Sequence, residues 1–254
     1  MKKFEIKEHF KAIAIERGRD NSLLSTWTDD GTLNLFNSRE VAKVSRLELE
    51  EVPSAFHLSR VLSEEECDTF VSITETLGYH TDSPVSLPYS FRHNMNLNWV
   101  VSEVVDSTIW NRCSDKVTEK LLGGPAVGLN ARFRFYQYGE NDFFKPHTDG
   151  AWPGSRVIDG ELIDDAYGDR LSMMTFLLFL SDGFEGGRTE FYVPDTGLPP
   201  GEAMRKVLIS TPKGSALCFP HGPHPDHCMH AGETVLSGKK YIIRSDILFP
   251  FSQR

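Results

Sequence analysis

The sequence predicts an α+β fold in which helices come first and pack against an antiparallel sandwich of jelly-roll type. Three observations carry this. A capping box opens an apolar stripe of helical period after residue 62, and a second such stripe runs up to Gly123-Gly124. From Pro125 the chain turns to short apolar or alternating runs punctuated by Gly, Pro and Asp. Helices segregated ahead of many short strands are the pattern of a layered α+β domain.

Taken in order, residues 1–50 read as an N-terminal arm of unassigned role and residues 51–254 as the main domain. Within the arm, Asp29-Asp30-Gly31 between Ser25-Thr26-Trp27 and Leu33–Phe36 predicts a hairpin turn. Ser63-Glu64-Glu65-Glu66 is a capping box for a helix to about Leu77, which Gly78 ends; Phe70, Ile73 and Leu77 share one face. A second helix is expected over about 102–122, with Val105, Ile109, Val117 and Leu121 along one stripe. Strands are expected at Ala131–Tyr138, Leu171–Leu180, Thr189–Val193, Lys206–Ile209, Ser215–Phe219 and Lys240–Phe249, within a jelly roll over about 125–250. Two connections, 150–170 and 194–205, are rich in Gly, Pro and Asp, as lids or disordered loops are, and 150–170 is the lid candidate.

Composition narrows the function. The 254 residues are 39% hydrophobic, which is ordinary for a globular chain and excludes a mostly disordered one. Lys and Arg number 27 against 36 Asp and Glu, a formal charge of −9, so neither nucleic acid nor an anionic membrane surface is an expected partner. The charged N-terminus lacks the apolar core of a secretory signal. Cys67, Cys113, Cys218 and Cys228 form no C-x-x-C pair and read as reduced thiols. A cytoplasmic location is the resulting expectation.

The chemistry begins at Lys145-Pro146-His147-Thr148-Asp149-Gly150. His and Asp two apart at a strand end point to one face, because side chains alternate with period two. They can hold two positions of a metal, and a third ligand must come from elsewhere. His221, His224, His227 and His230 are candidates, the last directly before the final strands. Two His and one carboxylate on one side of a metal form the facial triad of non-haem Fe(II) oxygenases, with coordination positions left open. Ten residues after His230 stands Lys240, followed by Arg244 and Asp246 on the same strand face. Were that face interior, its cations would need anions.

In order along the chain, Leu62–Cys67, Arg134–Asp149, Thr175–Asp182, Glu185–Thr189, Lys213–Phe219 and His230–Lys240 together resemble the catalytic domain of Fe(II)/2-oxoglutarate-dependent oxygenases. The prolyl 4-hydroxylase-like branch is the most similar, and the resemblance spans about Val52 to Phe249. It implies a double-stranded β-helix, a cupin-like jelly roll, with supporting N-terminal helices. It implies His147, Asp149 and His230 as catalytic ligands of Fe(II), and 2-oxoglutarate (2OG) and O2 as cosubstrates. Lys240 sits where such hydroxylases pair a lysine with the distal carboxylate of 2OG, and Arg244-Ser245 resembles the R-x-S of other branches. Tyr138 is implied as a hydrogen-bond partner of the cosubstrate, and Thr175 as a further holder of its far carboxylate. Phe179 stands where relatives often carry Tyr. The implied reaction hydroxylates a C–H bond of a peptidyl proline or another amino-acid-like substrate, releases succinate and CO2, and is stimulated by ascorbate.

Other readings stay open at this point. His147 and Asp149 could be a capped turn, and Lys240 and Arg244 a surface pair. His221, His224, His227 and Cys228 could form a zinc site or simply a polar mouth. Asn94, Asn96 and Asn98 alternate after Arg92, either as a loop bonded to its own backbone or as a substrate wall. Arg132 and Arg134 could be structural or touch substrate. A non-catalytic metal-binding jelly roll that senses a small organic acid, or a zinc hydrolase, are the alternative functions.

Overall fold

A computed structural model describes residues 3–18, 22–36, 43–83, 87–195 and 203–251. Two sheets face each other. The larger runs in the order Phe10–Arg17, Leu23–Asp29, Met95–Val100, Arg132–Tyr138, Lys240–Pro250, Arg170–Phe179, Ala216–Pro220, Phe56–Ser59, Ser45–Glu48, with Gly128–Leu129 paired to the side of Lys240–Pro250. The smaller runs Met204–Ile209, Thr189–Pro194, Met229–Gly232, Phe143–His147, Arg92–His93. The two are the walls of a double-stranded β-helix.

Alternation along the strands separates two cores. Phe133, Phe135, Tyr241 and Ile243 point away from the smaller sheet and pack with Phe70, Ile73, Trp99 and Ile109 beneath the helices. Trp99 stacks on Phe135 with centroids 5.6 Å apart. Tyr136, Tyr138, Leu177, Phe179, Phe191, Phe219 and Ile242 fill the space between the sheets. That assigns the face of Lys240–Pro250: its Lys240, Ile242, Arg244 and Asp246 are turned inward.

After a short helix at Lys3–Glu8, the first of the two expected helices is Glu64–Leu77, and both halves of its capping box form, Ser63 with the Glu66 amide at 3.2 Å and Glu66 with the Ser63 amide at 2.9 Å. Glu66 is buried and is also clasped by Arg112 at 2.7 and 2.8 Å, which ties the two helices together. The second expected helix, Glu103–Cys113, is shorter than the 102–122 expected. A 3-10 turn over Ser114–Lys116 follows, and Val117 enters the core from extended backbone, as its β-branch favours. Leu122 and Gly123 then take positive φ in a hairpin turn between Lys120–Leu121 and Gly124–Pro125, so the two glycines close a turn and do not end a helix.

Residues 1–50 are not a separate arm in their described part. Phe10–Arg17 and Leu23–Asp29 pair as a hairpin, and the second of them adds in parallel to Met95–Val100. The hairpin expected at Asp29–Gly31 is absent because the Asp29 carboxylate takes hydrogen bonds from Trp99 Nε1 and the Ser102 amide, both at 2.8 Å, and leads the chain off the sheet. The 150–170 connection also has structure of its own, a hairpin of Arg156–Ile158 and Glu161–Ile163. In the other connection, residues 196–202 lie outside the described residues. The six expected strands are present within a residue or two of their expected ends.

Candidate active site

His147 ends its strand directly opposite His230 on the neighbouring strand of the smaller sheet. Their rings lie 4.3 Å apart between centroids, and Phe144 stacks on His147 at 3.6 Å. Asp149, two residues on, brings Oδ2 to 3.6 Å from His230 Nε2 and Oδ1 to 4.0 Å from His147 Nε2. One ligand atom from each of the three lies within 4.8 Å of the others, and among the described residues this is the one such group.

The donor set fits a divalent iron. His147 Nδ1 is 2.8 Å from the Lys145 carbonyl and His230 Nδ1 is 3.0 Å from the Cys228 carbonyl. A carbonyl only accepts, so each Nδ1 carries the proton and each Nε2 lone pair is free toward Asp149. Burial, then the neighbouring His230, push the His147 imidazole down to about 4, so it is neutral and ready to ligate near pH 7. Burial alone would raise the Asp149 carboxyl, but Arg244 and the histidines hold it well below the usual carboxylate range. Thr175 Oγ1 donates to Asp149 Oδ2 at 2.7 Å, and the Gly222 amide donates to the Asp149 carbonyl at 3.0 Å. Gly222 has φ +60°, and a Cβ there would sit 2.8 Å from that of Ala151, so only glycine lets the two loops approach.

The cavity beside these ligands measures about 810 Å³ and extends along the inner face of the larger sheet, a volume in the range of small-molecule sites. Cross-strand register arranges that face in rows. Tyr138 stands opposite Lys240, Tyr136 between Asn96 and Ile242, and Arg134 between Asn98 and Arg244.

The two cations of the last strand differ in their partners. Arg244 Nη2 lies 3.0 Å from Asp246 Oδ1 and 3.4 Å from Asp149 Oδ1; burial opposes its charge, but these carboxylates keep it firmly protonated. Lys240 Nζ donates to the Gly187 carbonyl at 2.6 Å and lies 5.2 Å and 5.1 Å from the Tyr138 and Phe179 ring centres. Among the described residues it has no carboxylate within ion-pair distance, and burial pushes its ammonium down to about 8. Gly187 holds φ +64° and a Cβ there would press on the Lys240 stem at 3.3 Å, which gives the Glu185-Gly186-Gly187 motif its physical reason.

Thr175 is placed otherwise than expected. Its hydroxyl is taken by Asp149 and by His221 Nδ1 at 2.9 Å, and it lies four residues, roughly 13 Å of strand, from the Phe179 ring beside Lys240. Its hydroxyl is therefore engaged at the metal end, through Asp149. His221 is held between Thr175 and Ser172, while His224 and His227 bond within their own loop, so no zinc cluster forms there among the described residues. Asn96 and Asn98 are strand residues lining the cavity.

Sequence reasoning missed two contributors. Glu16, from the first strand, reaches the cavity and pairs with Arg132, and it accepts from Thr26 Oγ1 at 2.6 Å. Nothing local marks it, since its position depends on a parallel strand pairing. Asp246 is wholly buried between Arg244, Arg134 at 3.6 Å and His221 at 3.8 Å. Its signal was an acid two residues from an arginine on an inward face.

Residues 133–245 match the family model described as the 2OG-Fe(II) oxygenase superfamily. Among solved structures, a viral collagen prolyl hydroxylase of Paramecium bursaria Chlorella virus-1, in a 2OG complex, is 19% identical with TM-score 0.50 over 80% of this chain and 99% of that one. A prolyl-4-hydroxylase of Pseudomonas putida is 11% identical with TM-score 0.46, covering 76% and 91%. The first likeness shows a shared fold. No curated protein matches this chain.

Proposed function

We propose that the chain, whose residues 133–245 match the 2OG-Fe(II) oxygenase superfamily model, is a 2-oxoglutarate-dependent oxygenase that hydroxylates a C–H bond of an amino-acid-like substrate, a peptidyl proline or a smaller relative, with release of succinate and CO2. One observation carries the reading: a single cavity joins a His-Asp-His group with its Nε2 atoms freed to a buried ammonium, that of Lys240, with no carboxylate within ion-pair distance among the described residues. A metal that must chelate a dicarboxylic acid at one end and a cation that must neutralise its other end are the two requirements of 2OG binding.

His147, Asp149 and His230 would hold Fe(II). When bound, the metal supplies with 2OG and O2 the oxidising power that converts a C–H bond to C–OH, one oxygen atom entering the product and one entering succinate. The protein's own part is positional. The Lys145 and Cys228 carbonyls orient the imidazoles, Thr175 and Arg244 fix the Asp149 carboxylate, and the Lys240 ammonium takes the distal carboxylate of the cosubstrate. Tyr138, which burial keeps protonated, is a hydroxyl donor on the same inner face. Phe179, Leu177 and Ile242 give that stretch dry walls, which strengthens each polar contact made in it. Ascorbate stimulation, as a means of keeping the metal reduced, belongs to the same reading.

The test is succinate production from 2OG with Fe(II) and oxygen. Oxygen-dependent succinate that vanishes in His147→Ala supports the oxygenase reading. Cosubstrate binding without succinate under any substrate tried favours the organic-acid sensor, and hydrolytic turnover with Zn(II) in the absence of oxygen favours the hydrolase.

A further inference from the structure

Beyond the metal ligands and Lys240, the cavity continues along a polar stretch that the cosubstrate reading leaves unused: Asn96, Asn98, Arg132, Arg134, Glu16 and Trp152. Two groups there are unsatisfied. Arg134 Nη1 is excluded from solvent without a hydrogen bond, and so is Asn96 Oδ1. The Asn96 amide nitrogen is turned to the Asn94 carbonyl at 3.3 Å and the Asn94 Oδ1 at 3.4 Å, so the oxygen of this cavity-lining residue is the end left without a donor. Register puts Asn98 opposite Arg134 and Asn96 opposite Tyr136. The two orphaned groups thus stand diagonally on adjacent strands, about 7–8 Å apart at the backbone. Buried polar groups are nearly always paired, and a donor and an acceptor left open in one cavity mark where a ligand completes them.

Charge argues the same way. Arg134 and Arg244 share one carboxylate, Asp246, at 3.6 Å and 3.0 Å. Asp149 is given to the metal, and Lys240 to the distal carboxylate. Fe(II) with Asp149 and the proximal carboxylate is then balanced, Lys240 is balanced, and the pair of arginines with Asp246 retains one positive charge. Arg132 is matched by Glu16 and, at 3.3 Å, by Asp164, whose carboxylate is solvent-exposed and screened by water and so does not offset a buried charge. The uncompensated charge belongs to Arg134, whose guanidinium lies 6.0 Å from the Trp152 ring centre. A guanidinium held between an aromatic face and a cavity is a fork for a carboxylate.

We infer that the substrate carries a free carboxylate read by Arg134 and a hydrogen-bond donor, such as an amine, read by Asn96: a free amino acid or a close analogue, not a residue inside a peptide. The inference rests on the oxygenase reading and names the substrate class of that same cavity. An internal peptide residue has only a neutral carbonyl to offer Arg134, and leaves the charge buried and unmatched. Arg134 is on this account a specificity-determining residue.

The experiment uses full-length protein loaded anaerobically with Fe(II) and 2OG. Thermal shift and calorimetry are read with the twenty L-amino acids, with the same amino acids as C-terminal carboxamides, and with N-acetylated, amidated proline tripeptides. The expected result is stabilisation by one or a few free acids, with at least tenfold weaker binding of their carboxamides. Arg134→Gln removes the preference, and Arg134→Lys restores part of it. Carboxamides or capped tripeptides that bind as tightly as free acids would overturn the inference, as would loaded wild-type protein that no free acid stabilises. Wild-type protein that fails to load Fe(II) and 2OG at all, shown by the absence of their visible charge-transfer band, would overturn the oxygenase reading beneath it.

Discussion

The Lys240 ammonium lies 5.2 Å from the ring centre of Tyr138, its partner across the strand pair, and no carboxylate shares its site among the described residues. Four residues along the same strand Arg244 is held by two carboxylates. The sequence placed both cations on one face and left their roles undivided; the proposed assignment of the distal carboxylate to Lys240 rests on this difference in partners. Lys240 is free to take an anion, and Arg244 already has two.

The two variants therefore fail differently. Lys240→Met weakens 2OG binding by at least tenfold while leaving Fe(II) binding near wild type. Arg244→Met leaves Asp149 without its arginine and Asp246 with Arg134 alone, and costs about 3–5 kcal/mol of stability. Titration of 2OG into Fe(II)-loaded protein and urea unfolding of both variants separate these outcomes.

The buried ammonium gives a pH dependence. Its folded pKa of about 8 lies below the ordinary lysine value of about 10.4. Between those values the unfolded chain binds the extra proton, so stability without 2OG rises with pH across that window. It is lower by roughly 3 kcal/mol below pH 8, before any bound anion offsets the buried charge. Lys240→Met flattens that rise and stabilises the protein without 2OG near neutral pH. In the wild type, 2OG affinity falls as pH climbs above 8. Urea midpoints and 2OG titrations from pH 7 to 10 check both signs.

Thr175 acts through Asp149. Thr175→Val removes the 2.7 Å bond and leaves the carboxylate free to turn, which lowers Fe(II) affinity by about 10–100-fold. Thr175→Ser retains most of it. Competition with a metal-binding dye reads the affinity, and an unchanged value in Thr175→Val would return the residue to the cosubstrate.

The clasp of Arg112 on Glu66 is a stability element remote from the cavity. Both partners are almost fully buried, and the Glu66 carboxylate also caps its own helix. Arg112→Met strands that carboxylate and costs about 3–5 kcal/mol in urea unfolding. Arg112→Met combined with Glu66→Leu recovers part of the loss, since the stranded charge is then gone.

The fold and the metal-ligand candidates were legible because each had a local signature: the Ser63–Glu66 capping box, the period-two runs, and the two-residue spacing of His147 and Asp149. His230 was singled out from its neighbouring histidines by the distance to Lys240. What escaped depended on long-range pairing. Glu16 lies 116 residues from Arg132, which it pairs with, and reaches the cavity only through strands added at the sheet edge. The helix end at Cys113 was hidden because Val117 and Leu121 continue its apolar stripe from a 3-10 turn and a hairpin.

We propose that His147, Asp149, His230 and Lys240 form one site for Fe(II) and 2OG. Anaerobic addition of Fe(II) and 2OG to wild type, His147→Ala and Lys240→Met, watched for the visible metal-to-ligand charge-transfer band, tests it most directly. The expected result is a saturable band in wild type, none in His147→Ala, and a band in Lys240→Met only at 2OG concentrations at least tenfold higher. Folded, iron-loaded wild-type protein without a band, or a Lys240→Met titration that overlays the wild type, would contradict it.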